Sequence, residues 1–233
     1  MRNRHALPIY LQISEMLIRE INAGRLQDGE RLPPERVYAE RLGISVGTLR
    51  KALEDLTEKG LLERVHGSGN YIRAQADVQS VYAFFRVELL EGGGLPTAEL
   101  LSIDRVAKPE GLPPFGSSAE AHRIRRLRRL NGRPAILEEI WLDGAYTDRI
   151  ERRDLSESLY RFYRERLDLW ITRAEDRMSL LPVPDWAPDA FGPRPGAPCL
   201  CATRVSFARD GARAEVSRGW IDTEVATYVA RLK

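Results

Sequence analysis

The stretch from Leu32 to Tyr71, LPPERVYAERLGISVGTLRKALEDLTEKGLLERVHGSGNY, sets the reading of the whole chain. Pro33 and Pro34 open a helix-like segment with Val37 and Leu42 expected inward, and Gly43 stops it. Ser45 stands where the next helix needs an N-cap. Leu49, Ala52, Leu53 and Leu56 then recur at three and four, giving that helix one apolar stripe, and Gly60 closes it. Leu61–Val65 and Asn70–Arg73 read as two short strands joined through Gly67 and Gly69. Helix, tight turn, second helix and glycine-tipped hairpin make the build of a winged helix-turn-helix. Such a module lays its second helix in the major groove of DNA.

Upstream, Pro8 suits a first helical position. Ile9, Ile13, Met16, Leu17 and Ile21 follow as one apolar stripe that Gly24 ends. At the start of the recognition helix, Val46, Gly47 and Thr48 are the exposed positions, followed by Arg50. Gly47 admits a close backbone approach, Thr48 can bond a phosphate, and Arg50 can reach phosphate or guanine. Arg36 is an expected phosphate contact, and His66 with the Gly67 amide can touch the backbone or minor groove. Taken singly, Arg36 and Arg50 read equally well as solvated helix-surface charges. Their order and the wing behind them favour DNA.

The totals bound the rest. A chain of 233 residues, 43% hydrophobic and 30% charged, is ordinary for a soluble protein with room for two domains. No run approaches the roughly 18 apolar residues of a membrane span, and MRNRHALPIY lacks a signal core, so the cytoplasm is expected. The net charge is only +2. Residues 1–75 carry 12 Lys+Arg against 10 Asp+Glu and the remainder 24 against 24, so the small excess sits with the candidate DNA module. Cys199 and Cys201 are read as plain strand residues pointing to opposite faces, unsuited to a mutual disulfide. They are also a poor metal site. No metal and no cofactor are expected.

Domain boundaries follow from composition: 1–73 for the winged module, 74–81 (AQADVQSV) for a linker and 82–233 for a second domain. In that second domain Asn131-Gly132 and Asp210-Gly211 each lie between alternating segments, the strongest short-range hairpin signal. Leu155, Leu159, Phe162, Tyr163 and Arg166 sit at helical spacing, with Asp154 and Glu157 as a capping box. The fold class is therefore α+β in two domains: a winged helix-turn-helix, then an antiparallel sheet with packed helices.

The first hairpin carries a register question. A plain two-residue turn at Asn131-Gly132 would set Arg126 against Leu137 and turn Glu138 to the other face. A three-residue loop with a glycine bulge shifts the pairing by one. Ile124, Arg126 and Arg128 then share a face with Ile136, Glu138, Ile140 and Leu142, the more apolar and so the expected inner face. Inward arginines require a carboxylate or an anion. Two readings stay open: Arg126 or Arg128 pairs with Glu138, or the guanidiniums bind an anionic small molecule.

Residues Pro8–Ile72, through PPER, GISVGTLRKAL, KGLL and HGSGNY, resemble the N-terminal domain of GntR-type bacterial transcription regulators. The resemblance places Arg36, Ser45, Val46, Gly47, Thr48, Arg50, His66 and Gly67 on DNA-facing positions. Family members often carry Arg where this chain has Val46 and Thr where it has Asn70, so no operator sequence is carried over. IRRLRRLNGRPAILEEIWLDG, DLSESLYRFYRERLDLWITRAED, GPRPGAPCL and AEVSRGWI resemble the HutC-type effector (UTRA) domain, similar in fold to chorismate lyase. This resemblance implies effector contacts at Arg126, Arg128, Glu138, Ser158, Tyr160 and Glu215. The family's effector domain often opens with a serine that holds the ligand's anionic group. Phe84 falls near that place here, which points to an apolar or aromatic acid.

The expected function is thus a ligand-responsive DNA-binding regulator. It is read as a homodimeric repressor on a roughly palindromic double-stranded operator, with an anionic small-molecule effector and no membrane partner. The alternative is an enzyme of the chorismate-lyase kind in the second domain. No nucleophile-and-base arrangement supports it, and fold likeness carries no activity.

Overall fold

A computed structural model describes residues 8–74, 84–155 and 158–231. The chain divides into two compact units, residues 7–85 and 86–230. The expected linker lies, from residue 75 to 81, outside the described residues.

In the first unit, α1 (Ile9–Asn22) packs against α3 (Val46–Glu58), with α2 (Glu35–Arg41) also against α3. Ile13, Met16, Leu17 and Ile21 of α1 are buried with Leu49, Ala52, Leu53 and Leu56 of α3. Ile9 is left 54% exposed, because it stands in the first turn, beyond the end of α3's stripe. Polar ties reinforce the apolar seam. Ser14 of α1 donates to Asp55, and Lys59 bridges Asp55 at 2.7 Å and Glu15 at 3.3 Å. On α2 the expected inward Val37 is 41% exposed. In so short a helix the inward turn is taken by Ala39 instead, which is 1% exposed. β1 (Leu62–Val65) and β2 (Gly69–Ile72) pair antiparallel as the wing, in register Leu62 to Ile72 and Val65 to Gly69.

The second unit is built on one antiparallel sheet of six strands. Its strands are β4 (Pro96–Ala107), β5 (Glu120–Leu130), β6 (Arg133–Asp143), β7 (Ile171–Pro182), β8 (Pro198–Ala208) and β9 (Arg213–Ile221). They lie in the order β4-β5-β6-β9-β8-β7. Two hairpin-linked triplets therefore meet where β6 pairs with β9. A separate two-stranded ribbon joins β3 (Val87–Leu89) to β10 (Ala226–Tyr228).

Where several packed helices were expected, the described part of this unit has one α-helix, α4 (Leu159–Leu167), and two 3₁₀ turns at Gly144–Tyr146 and Arg152–Asp154. α4 lays Leu159, Phe162 and Tyr163 on Ile124, Ile140 and Leu142 of the sheet. The opposite face is covered by connecting segments. Val183 and Phe191 pack on Leu127, Leu137 and Trp220, while Phe115 packs on Trp141 and Val216. Both faces are thus largely covered over the central strands, which carry apolar residues on both sides.

Three expectations are corrected. Cys199 and Cys201 are two positions apart on β8, so strand alternation puts them on one face, and both join the same apolar cluster as free thiols. Asp154 caps with Glu151 rather than with Glu157, which lies outside the described residues, and Ser158 is the N-cap of α4. The first hairpin is the third. Leu130 pairs with Arg133, and Asn131 and Gly132 take φ of 48° and 77°, so the loop has two residues of the left-handed kind. The register shift comes later, between Arg128 and Arg129, where β6 contributes one extra residue, Ala135. That bulge, and no three-residue loop, sets Arg126 opposite Glu138.

Candidate functional site

Two groups of side chains stand out, one in each unit. In the first, Gly43 at φ 64° turns the chain between α2 and α3. Ser45 then caps α3: its Oγ accepts from Thr48 N at 3.1 Å and meets Thr48 Oγ1 at 2.9 Å. This fixes the helix start, where backbone N–H groups and the positive end of the dipole favour a phosphate. Gly47 and Arg50 are exposed there, with Val46 and Thr48 half-buried. Arg50 Nε lies 2.6 Å from Glu35 Oε2, so a carboxylate of α2 holds the guanidinium that was expected on DNA. Arg36 is exposed on the same helix. His66 and Gly67 are exposed at the wing tip. Arg64 of β1 donates to the Arg50 carbonyl at 3.3 Å, tying the wing to the recognition helix. Arg31, which the sequence did not single out, donates to the Ser68 carbonyl and lies under the wing. The structure brings all eight expected positions to accessible or partly accessible parts of this unit. Phe84 groups with this unit as well.

In the second unit the strand pairing aligns side chains in rows across the face that α4 covers. One row runs Leu100, Arg126, Glu138, Gly219, Ala202 and Met178. Arg126 and Arg128 are each 4% exposed, and both bind Glu138. Arg126 Nη2 is 2.7 Å from Oε2, and Arg128 Nε is 3.0 Å from Oε1. Burial alone would raise the Glu138 carboxyl, but the two guanidiniums outweigh it and bring it down to about 2. Two cations thus share one carboxylate. Beside it Gly219 and Ala202, in central strands, offer almost no side chain and remain partly exposed. A charged trio thus stands beside two positions of minimal side chain.

Two rows further along, Glu215 is 2% exposed and has no cationic partner within ion-pair distance among the described residues. It accepts instead from three hydroxyls: Tyr163 at 2.6 Å, Ser206 at 3.0 Å and Tyr160 at 3.4 Å. Burial pushes its carboxyl up, against these hydrogen bonds. Tyr160 also meets Ser206 Oγ at 2.9 Å, and Ser158 caps the helix that carries it. Arg126 is near enough to lower the Glu215 carboxyl, which links the two groups. The six expected effector positions therefore lie on one face, as a trio around Glu138 and a second set around Glu215.

Sequence reasoning missed four members of this face: Tyr163, Ser206, Arg204 and Asp176. Arg204 and Asp176 form a two-pronged pair at 2.6 Å for each prong, and Tyr228 donates to Asp176 at 2.6 Å. Alternation along CLCATRVSFA could have found Arg204, two residues from Ser206 and so on the same face. His122, the remaining histidine of this unit, is buried with Nε2 2.9 Å from the Thr147 carbonyl. Among the described residues no three His, Cys, Asp or Glu side chains are placed to hold a metal ion. The face can hold an anion through its guanidiniums.

Residues 9–72 match the family of bacterial regulatory proteins called gntR, and residues 91–226 match the UTRA domain. HTH-type transcriptional regulator SmoD of Agrobacterium fabrum is 62% identical over 98% of this chain and 97% of its own. HTH-type transcriptional repressor NagR of Bacillus subtilis is 27% identical over 96% and 94%. The crystal structure of YydK from Bacillus subtilis aligns with a TM-score of 0.53 at 20% identity, covering 97% of this chain and 100% of that one, a likeness of fold.

Proposed function

The chain belongs to the GntR family of bacterial regulatory proteins, as a transcription regulator with a UTRA ligand-binding domain and not an enzyme; from that premise we propose that it is a cytoplasmic, homodimeric repressor released from or held on its operator by an anionic small molecule. DNA contacts are assigned to Arg36, Ser45, Val46, Gly47, Thr48, Arg50, His66 and Gly67. Effector contacts are assigned to Arg126, Arg128, Glu138, Ser158, Tyr160 and Glu215. The observation that carries the effector reading is the pair of buried guanidiniums sharing Glu138 beside the small residues Gly219 and Ala202. Buried guanidiniums are stabilised by an anion that brings its own oxygens. A dimer doubles the half-site contacts and suits a palindromic operator. The repressor named NagR supports the sign of action. Coupling requires the effector to bind one arrangement of the two units better than the other.

A thermal-shift screen of anionic metabolites on the parent chain and on Arg126→Ala tests the effector site. A compound that stabilises the parent and not the variant identifies effector and anchor together, whereas equal stabilisation of both sinks the assignment. Gel shifts with fragments of genomic DNA test the other half, and salt-sensitive binding without sequence preference would sink the operator reading.

A further inference from the structure

The face of the sheet turned away from α4 carries its own polar row. In register it runs Ser102, Arg125, Glu139, Arg218, Thr203 and Arg177. The rows on either side are mostly apolar in the central strands. Trp141, Val216 and Val205 lie on one side, and Leu127, Leu137, Trp220 and Cys201 on the other. Two connecting segments flank the row. Gly111, between β4 and β5, accepts from Arg218 Nη2 at 3.0 Å. Trp186, between β7 and β8, lies under the Arg125 guanidinium at 4.5 Å and stands edge-on to Trp220. Arg125, Arg218 and Thr203 are nonetheless only half-buried, although they sit in inner strands.

The charges along this row do not balance. Three guanidiniums face one carboxylate, and Glu139 is already engaged through both oxygens. Oε1 accepts from Arg125 Nε at 2.9 Å and Oε2 from Trp141 Nε1 at 3.2 Å. Arg218 stands directly opposite Glu139 in the ladder but makes no ion pair with it. Its Nε is fully buried and has no hydrogen-bond partner, and the Ser102 hydroxyl at the other end of the row is in the same condition. A buried N–H without an acceptor keeps the whole desolvation penalty, which an incoming acceptor removes. A guanidinium fork beside a hydroxyl, with Arg125 one strand beyond Glu139 and Arg177 one strand beyond Thr203, is an arrangement that can take an oxyanion.

We propose that this face carries a second anion site, separate from the Glu138 trio. It is centred on Arg218 with Thr203 beside it, Arg125 standing beyond Glu139, and takes the phosphate, sulfate or carboxylate group of a small molecule. The site rests on different strand faces from the effector positions, so it stands or falls apart from them. An occupant would join Gly111 of one flanking segment to the Trp186 side of the other through one bound group.

The test titrates the full chain with sodium phosphate, sodium sulfate and sodium acetate, against sodium chloride at matched ionic strength. Melting temperature and calorimetry are followed for the parent, Arg126→Ala, Arg218→Gln and Thr203→Val. The expected result is a saturable response to at least one oxyanion in the parent and in Arg126→Ala. Its apparent affinity should fall about tenfold or more in Arg218→Gln. Thr203→Val lies outside the Gly111 tie, and a weakened response there supports the site even if Arg218→Gln fails to fold. A response that Arg126→Ala abolishes and Arg218→Gln keeps places the anion on the α4 face and overturns the proposal. So does a rise no different from chloride, or an unchanged response in both Arg218→Gln and Thr203→Val.

Discussion

The recognition surface of the first unit and the α4-covered face of the second both rely on arginine, under opposite conditions. Arg36 and Arg50 are exposed, and Arg50 meets the Glu35 carboxylate across the surface. Arg126 and Arg128 are almost wholly buried, and a shared carboxylate is a condition of their being there. Exposed charge is cheap to keep and nearly neutral to remove, so it can be devoted to a partner. Buried charge is bound into the fold, so any ligand at Glu138 must act on groups that also hold the sheet together. Function and stability should separate in the first unit and coincide in the second.

The strongest way to break this contrast is Glu138→Ala. It leaves two buried guanidiniums without their carboxylate, and a loss of about 3–5 kcal/mol in denaturant unfolding is expected. A loss under about 1 kcal/mol would mean the pair is far more solvated than its burial implies. Acid titration should show the same pair next. Glu138 is held at about 2 against an ordinary 4.5, so its contribution is present above pH 4.5 and lost as pH falls toward 2. That contribution is on the order of 3 kcal/mol, read as the difference between the parent's and Glu138→Gln's stability across that window. Glu215 has the opposite sign. Its raised carboxyl favours the fold below the ordinary value and loses that benefit as pH rises, so Glu215→Gln should flatten the parent's decline above pH 4.5.

For Arg50→Ala the two readouts should part. Affinity for an operator selected from random DNA is expected to fall about ten- to a hundredfold, while the melting temperature stays within error of the parent. Equal losses in both would erase the distinction between the units. The smallest effect belongs to Ser45→Ala, which removes the cap on Thr48 N and should cost about 1 kcal/mol of stability, with Ser45→Asp restoring it.

How far the sequence anticipates these features follows the same division. Ser45, the α3 stripe and the wing depend on neighbours within a few residues, so they are readable directly. Val37 misleads because a seven-residue helix has too few turns for a stripe to show which side is covered. The trio of Arg126, Arg128 and Glu138 falls on the expected face through a different device, since turn chemistry at Asn131-Gly132 says nothing about a bulge at Ala135. Arg204 with Asp176, and Tyr163 with Glu215, are partners 28 and 52 residues apart. Strand pairing brings the first two together and the seat of α4 on the sheet the second two, and no local pattern states either. On the far face, Arg125 and Glu139 fall together through the register of one hairpin, whereas Arg218 joins them only because β6 also pairs with β9.

Ala135 bears on how such a protein can change over generations. It is a buried methyl group with no partner in the β5–β6 ladder, and its carbonyl accepts from Asp222 N at 3.0 Å. A scan by substitution would register only lost packing there. Removing its single codon would take out the bulge and leave the ladder as it is, Arg128 with Ile136 and Arg126 with Glu138, whereas drawing Ala135 into regular pairing would set Arg126 opposite Leu137 and swing Glu138 to the Trp186 side. The bulge thus absorbs one chemically silent residue so that both faces keep their charges, and a change of length taken up in the paired strand instead of the bulge is the mutational step that would exchange them.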